Sequence, residues 1–243
     1  MNEQERARLL NIFRRGAWFG ALESDLQRLL VERLAPRSFA KGETISREEG
    51  PSRGLCALLR GRVGFVRSTE GGDECLVHVA EPVFWFGELG LLTRRTAVTT
   101  LALTPVRALA LSPAAFEEIV AAEPRYYRPF AELALERFAA AYRFVAENHL
   151  LPAETRLRTR LADLAELRAQ DAPQAGPITL GLSQEELARV VGLSRQTVNP
   201  LLRGLQAEGL IELESRKIRV LDPARLRTCR AAGDRRLEAA RGC

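Results

Sequence analysis

The sequence predicts an α+β chain: an antiparallel β domain first, then a long helix, then a pair of short helices with a β-hairpin behind them. Three observations carry this. From Arg37 to about Leu111, short apolar or alternating runs are separated by turn signals. Between about 125 and 150, apolar residues recur at alternating spacings of four and three. From Leu182 to Gly209, two capped helical stretches flank a glycine, and an alternating segment about a tight turn follows.

Composition narrows the class before any element is placed. Of 243 residues 46% are hydrophobic and 28% charged, the balance of an ordinary globular chain with material for two modest cores. The net charge is +5, and residues 152–243 hold 16 Lys plus Arg against 12 Asp plus Glu, so +4 of it lies in the C-terminal part. That bias favours a polyanionic partner there without deciding for one. No run of about 18 apolar residues is present to span a bilayer, and the opening MNEQERARLL reads as a charged amphipathic helix, not a signal peptide. The expectation is a cytoplasmic protein with no membrane partner. Cys56, Cys75, Cys229 and Cys243 lack the paired short spacings of zinc or iron-sulfur sites and read as free thiols. His78 and His149 are the only histidines, and no nucleophile and base are assembled. An enzyme is therefore not expected, and no catalytic or metal residue is assigned.

In chain order, residues 3–15 and 22–34 read as two short helices, the second with Leu22, Leu26, Leu29, Leu30 and Leu34 on one side, covering the mouth of the β domain. Turn signals follow at Lys41-Gly42, Glu49-Gly50-Pro51, Arg60-Gly61, Glu70-Gly71-Gly72-Asp73 and Thr104-Pro105, and short strands between such turns make an antiparallel sandwich or barrel. Cys75 and His78, three apart in one strand, are expected on opposite faces, against a metal or haem role. Ser112 caps a helix with Pro113 at its first position. The long helix carries a heptad seam, Ala131, Leu135, Phe138, Tyr142, Val145 and His149. Beside it runs a second stripe, Phe130, Leu133, Ala134, Arg137, Ala141 and Phe144. Two apolar faces need two partners. Leu151-Pro152 breaks this helix as an expected hinge, a helix from Ala153 to Ala169 follows, and a short strand is expected at Ile178 to Leu180.

The stretch LSQEELARVVGLSRQTVNPLLRGLQAEG has the most specific pattern. Ser183 and Glu186 are spaced as a capping box, and Gly192 supplies a left-handed corner. Ser194 caps a second helix seated by Val198, Leu201, Leu202 and Leu205. With Ala188, Gly192, Val198 and Leu201 so spaced, it resembles the helix-turn-helix of bacterial repressors. Arg195, Gln196 and Asn199 then face outward near the start of the second helix, where Arg suits guanine and Gln or Asn suits adenine in the major groove. Pro200 in the second turn removes one intrahelical bond and is expected to kink the helix. The segment GLIELESRKIRVLD alternates about a turn at Glu214 to Arg216, as a wing does.

The runs KGETI at 41–45, LLRGRVGFV at 58–66 and FGELGLLTRRTAVTTLAL at 86–103 resemble the cyclic-nucleotide-binding β-roll of the Crp/Fnr, or catabolite activator, family of transcription regulators. With the helix-turn-helix, the resemblance covers nearly the whole chain. It implies an N-terminal jelly-roll-like sensory β-roll with flanking helices over 1–123 and a dimerisation helix with hinge over 124–151. A winged helix-turn-helix over 152–222 and a charged tail over 223–243 complete the division. It implies a homodimer whose interface holds Leu135, Phe138, Tyr142, Val145 and His149, reading an inverted repeat in double-stranded DNA and touching RNA polymerase if it activates. Arg195 and Gln196 would read bases with Asn199 and Gln184 beside them, and Ser183, Ser194, Thr197, Arg216 and Lys217 would hold phosphates.

For the effector, the resemblance implies Gly87, Glu88 and Leu89 opening a phosphate-binding cassette, Arg95, or Arg94 in its place, and Thr96 on a cyclic phosphate, and Tyr142 toward the base. About three residues are missing between Leu92 and Arg95 relative to the family's cassette. Three occupants stay open: a cyclic nucleotide (cyclic AMP or cyclic GMP), another small ligand, or side chains such as Phe84, Trp85 and Phe86 in a vestigial, ligand-free sensor acting constitutively. A dimeric interaction protein that ignores DNA is the rival class.

Overall fold

The computed structural model describes residues 1–68, 71, 74–171 and 176–228. The chain divides into two compact units, Met1–Ala141 with Gln170–Pro173, and Tyr142–Ala169 with Gln174–Cys243.

The first unit opens with α1 (Glu3–Phe13), α2 (Ala17–Ala21) and α3 (Ser24–Arg33). The periodicity predicts two helices here, over 3–15 and 22–34. The short α2 spans little more than one turn, which leaves no periodic signal. Among the described residues eight strands follow: β1 (Ala35–Phe39), β2 (Thr44–Ser46), β3 (Leu55–Arg60), β4 (Val63–Ser68), β5 (Glu74–Ala80), β6 (Phe84–Phe86), β7 (Thr99–Ala102) and β8 (Val106–Leu111). They form two antiparallel four-stranded sheets, β1-β8-β3-β6 and β2-β7-β4-β5, in the manner of a roll. The turn expected at 70–73 lies outside the described residues except for Gly71. Between β6 and β7 stands α4 (Glu88–Thr93). After β8 come α5 (Pro113–Ala122), capped by Ser112 on the Ala115 amide as expected, and a 3-10 turn, Pro124–Tyr126.

β6 is buried on both sides, and this positions the cassette. Trp85 points one way, stacked on Phe19 at 5.6 Å and tilted against Phe13 at 4.9 Å, in the core that α1, α2 and α3 share with Leu55, Leu111 and Phe130. Phe84 and Phe86 point the other way. There the ring of Phe65, from the facing sheet, meets Phe86 at 5.8 Å and Phe84 at 6.1 Å, with His78 at 5.3 Å from Phe84.

A bulge corrects the expectation for Cys75 and His78. Register pairs Phe65 with His78 but Val66 with Leu76, leaving Val77 as an extra residue. The strand's alternation is broken between the two, and they pair with Arg67 and Phe65, which share a face of β4. No group of three or more metal-ligating side chains occurs among the described residues. Cys56 is buried, which pushes its thiol up to about 12 and keeps it protonated, whereas Cys75 is exposed. Cys229 and Cys243 lie outside the described residues.

α6 (Tyr127–Leu150) runs through the boundary between the units. In the first unit its Phe130, Leu133 and Ala134 are buried, and Trp18 Nε1 donates to the Pro129 carbonyl at 2.9 Å. The seam residues Leu135, Phe138, Tyr142 and Val145 are 55–69% exposed. The second stripe does not bury as one face. Its last member, Phe144, belongs to the second unit and lies 4.7 Å beneath the Arg160 guanidinium.

In the second unit α7 (Ala153–Asp171) starts after Leu151-Pro152. Then come β9 (Ile178–Leu180), α8 (Gln184–Val190), α9 (Arg195–Ala207), β10 (Ile211–Glu214), β11 (Lys217–Val220) and α10 (Pro223–Thr228). The three strands form one sheet, β10-β11-β9. Arg227 of α10 pairs with Asp163 and, at 2.7 Å, with Glu166 of α7. The remainder of the tail lies outside the described residues, and no described helix is long and apolar enough to cross a membrane.

Candidate nucleic-acid interface and sensory cassette

The second unit builds the helix pair as its sequence dictates. Ser183 Oγ accepts from the Glu186 amide at 3.1 Å while Glu186 Oε2 accepts from the Ser183 amide at 2.8 Å, a complete capping box. Gly192 takes φ of +65° at the corner, a region that favours glycine. Ser194 Oγ accepts from the Thr197 amide at 3.1 Å and starts α9. Leu187, Ala188, Val190, Val198, Leu202 and Leu205 are buried.

What faces out is Ser194, Arg195, Gln196 and Thr197, all exposed. The side chains of Arg195 and Gln196 make no hydrogen bond or ion pair among the described residues. The Ser194 and Thr197 hydroxyls sit 2.8 Å apart and serve the cap first. Ser183 and Gln184 are half-buried. Asn199 departs from the sequence reading: it is half-buried, and its Oδ1 is enclosed with no hydrogen-bond partner. The residue before it, Val198, is fully buried. The wing tip is the two-residue turn Ser215-Arg216, with Arg216 at φ of +60° and Arg216 and Lys217 exposed. The predicted kink is not a break, since α9 is one helix from Arg195 to Ala207 with Pro200 inside.

Two contributors escaped the sequence reading. Arg203 is exposed on α9. Arg158 of α7 is 5% exposed, and its Nη2 donates to both carboxylate oxygens of Glu208, at 2.6 and 2.9 Å, while Nε donates to Glu154 at 3.0 Å. Glu208 caps the C-terminus of α9, where the helix dipole disfavours an anion. Arg158 supplies the compensating charge and ties the end of α9 to α7. Only the fold reveals a pair fifty positions apart.

In the first unit, Gly87 takes φ of +93° between β6 and α4. A Cβ there would come within 2.3 Å of the Gly54 carbonyl oxygen, so the close approach that needs glycine is to the protein's own backbone. Glu88 follows and is 8% exposed. Burial pushes its carboxyl up; its own amide, the Arg137 charge and the Gly87 amide pull in the opposite direction. Arg137, counted in the sequence as one of an apolar stripe, lies 4.4 Å over the Phe84 ring. Leu89 is 38% exposed.

Arg94 itself turns the chain at φ of +62° and pairs with Glu117 at 2.6 Å. Arg95 and Thr96 come after α4, against the segment 47–51. Arg95 Nη1 pairs with Glu49 at 3.2 Å, and the Thr96 hydroxyl bonds to the Arg47 and Gly50 carbonyls. The first unit thus holds Gly87, Glu88, Leu89, Arg95 and Thr96 together, and Tyr142 belongs to the second.

An antiparallel roll joined through a long helix to a winged helix-turn-helix is the build of a DNA-binding transcription regulator. Two family models match: a cyclic nucleotide-binding domain over residues 36–123 and a Crp-like helix-turn-helix domain over residues 155–229. The chain belongs to the Crp/Fnr family of transcription regulators. Among its curated relatives, a CRP-like cAMP-activated global transcriptional regulator from Mycobacterium tuberculosis is 28% identical over 218 residues, 88% of this chain and 96% of that one. The transcriptional activator protein FnrA of Stutzerimonas stutzeri is 24% identical, covering 81% of this chain and 80% of its own. The structure of FixK2 from Bradyrhizobium japonicum matches at a TM-score of 0.70 over 82% of this chain and 98% of that one; at 20% identity it speaks to fold alone. A Crp/Fnr-family transcriptional regulator from Thermus thermophilus matches at 0.57 and 26% identity, over 79% and 96%.

The buried carboxyl yields a test. Because the folded chain holds the Glu88 proton more tightly than the unfolded chain, its contribution to stability is full below about 4.3, an unperturbed glutamate's value, and is lost as pH rises through the higher folded value. Glu88→Gln removes that titration. Thermal melting should show the variant gaining on wild type from about pH 4.3 upward; a difference that stays constant with pH would count against the burial argument.

Proposed function

We propose that the chain acts as a homodimer reading an inverted-repeat operator, with Arg195 and Gln196 on base edges and Ser183, Gln184, Ser194, Thr197, Arg216 and Lys217 fixing register. Residues 1–123 serve as sensor, 124–151 as dimerisation helix and hinge, and 152–222 as reader. The observation that carries this is α9: its opposite face is buried, so Arg195 and Gln196 at its first turn are held out toward solvent without protein partners among the described residues. A pair of such helices one duplex turn apart, about 34 Å, meets successive major grooves. Arg195→Ala should cost about 1 to 3 kcal/mol on the operator and relax one base position, while Lys217→Ala should weaken all sequences alike. Equal losses on operator and random DNA for Arg195→Ala, measured by titration at fixed salt, would refute the base-reading role.

The exposed heptad seam supports α6 as the dimer contact, with Leu135, Phe138, Tyr142, Val145 and His149 facing a second copy. Phe138→Glu should shift the protein from dimer to monomer in analytical ultracentrifugation and abolish operator binding; an unchanged dimer would assign the interface elsewhere.

For the sensor we read a cyclic nucleotide, cyclic AMP or cyclic GMP. The matching domain model and the Mycobacterium tuberculosis relative's name support it. So does the pairing of Arg95 with Glu49, both about 70% exposed. Such a surface pair is worth about 0 to 1 kcal/mol and yields readily to a phosphate. The packed rings of Phe65, Phe84 and Phe86 favour the other reading, a constitutive regulator with a filled roll. Operator affinity with cyclic AMP, with cyclic GMP and with neither decides: a change of about tenfold (1.4 kcal/mol) or more with one nucleotide identifies the effector, and three equal values overturn the cyclic-nucleotide reading and leave another small ligand or the constitutive regulator.

A further inference from the structure

The outward face of α9 follows from its buried one. Val198, Leu202 and Leu205 seat the helix, so at 3.6 residues per turn the side away from the core is occupied by Gln196, Pro200 and Arg203. All three are exposed, and Pro200 stands between the other two along the face. Proline has no amide hydrogen, so the Gln196 carbonyl lacks its intrahelical donor, yet the helix continues to Ala207 because its buried stripe is fully seated. At this central place most side chains would bring a hydrogen-bonding group to the base edges. Pro200 brings only ring methylenes.

Among the features that the major groove displays, one is apolar, the C5 methyl of thymine. We propose that Pro200 is a specificity-determining residue whose ring packs on the C5 methyl of one thymine in each half-site, so that the sequence read is part hydrogen-bonded, through Arg195 and Gln196, and part apolar. This rests on α9 being the recognition helix.

Replacing thymine by uracil removes that methyl and leaves the base-pairing edge intact, which makes the test specific. Operators are selected from random DNA by the full-length protein, each thymine of the half-site is changed singly to uracil, and dissociation constants are measured for wild type, Pro200→Ser and Arg195→Ala. Pro200→Ser restores the helical amide and so preserves the fold. One uracil should weaken the wild type about fourfold per half-site and about fifteenfold when both halves carry it, the scale of one buried methyl-sized group. At that position Pro200→Ser should respond less than about twofold. A wild type indifferent to every uracil, or an equal response in Pro200→Ser, overturns the assignment. If operator binding depends on Arg195 while uracil changes nothing, only the role of Pro200 falls. If no operator emerges, or Arg195→Ala binds it as well as wild type does, the recognition-helix reading falls and this assignment with it.

Discussion

Strand β6 has no face left for solvent, and the first unit is arranged around that constraint. Three consecutive aromatic residues, each 4–6% exposed, require cover on both sides of a strand that alternates. The N-terminal helices cover Trp85, and the facing sheet covers Phe84 and Phe86 through Phe65. With the strand pinned this way, the chain leaving it must pass the Gly54 carbonyl, and only a glycine at position 87 fits. Glu88 is thereby delivered into the interior, where its carboxyl resists ionisation. The placement of Gly87 and Glu88 is a consequence of aromatic packing. The same core takes in Phe130 of α6, so the long helix is anchored to the unit that carries Glu88, and Arg137 of that helix lies both over Phe84 and beside the carboxyl.

The second unit solves a different problem, that of presenting polar side chains without letting them collapse onto the protein. Arg195 and Gln196 stay exposed because α9 is fixed at both ends: Ser194 caps its start, and Arg158 holds Glu208 at its finish. A cap is worth roughly 1 kcal/mol. The buried arginine contributes orientation more than stability, because burying its charge costs energy that its two half-exposed carboxylate partners only offset. Apolar contacts of Val198, Leu202 and Leu205 supply the seating itself.

Legibility in the sequence tracked how local the responsible interaction is. The capping box of Ser183 and Glu186, the corner at Gly192, the cap at Ser112 and the hairpin about Ser215-Arg216 all involve neighbours within a few positions, and each stands as read. The departures involve partners far apart. Val77 bulges because of how β5 meets β4, Arg95 turns to Glu49, Phe144 lies under Arg160, and the Asn199 amide oxygen is enclosed. Spacing arguments assume unbroken alternation or an ideal helix face, and a single bulge or a neighbouring core suffices to defeat them.

The sequence by itself determined the class of most elements, the two-helix reader with its wing, the antiparallel roll and the identity of the side chains at the start of α9, because period, caps and glycine corners act over short range. Only the tertiary structure decided which face of each side chain is available. Glu88 became a buried acid, Arg137 its neighbour and Arg158 the anchor of α9, because burial and long-range charge pairing depend on where the chain returns.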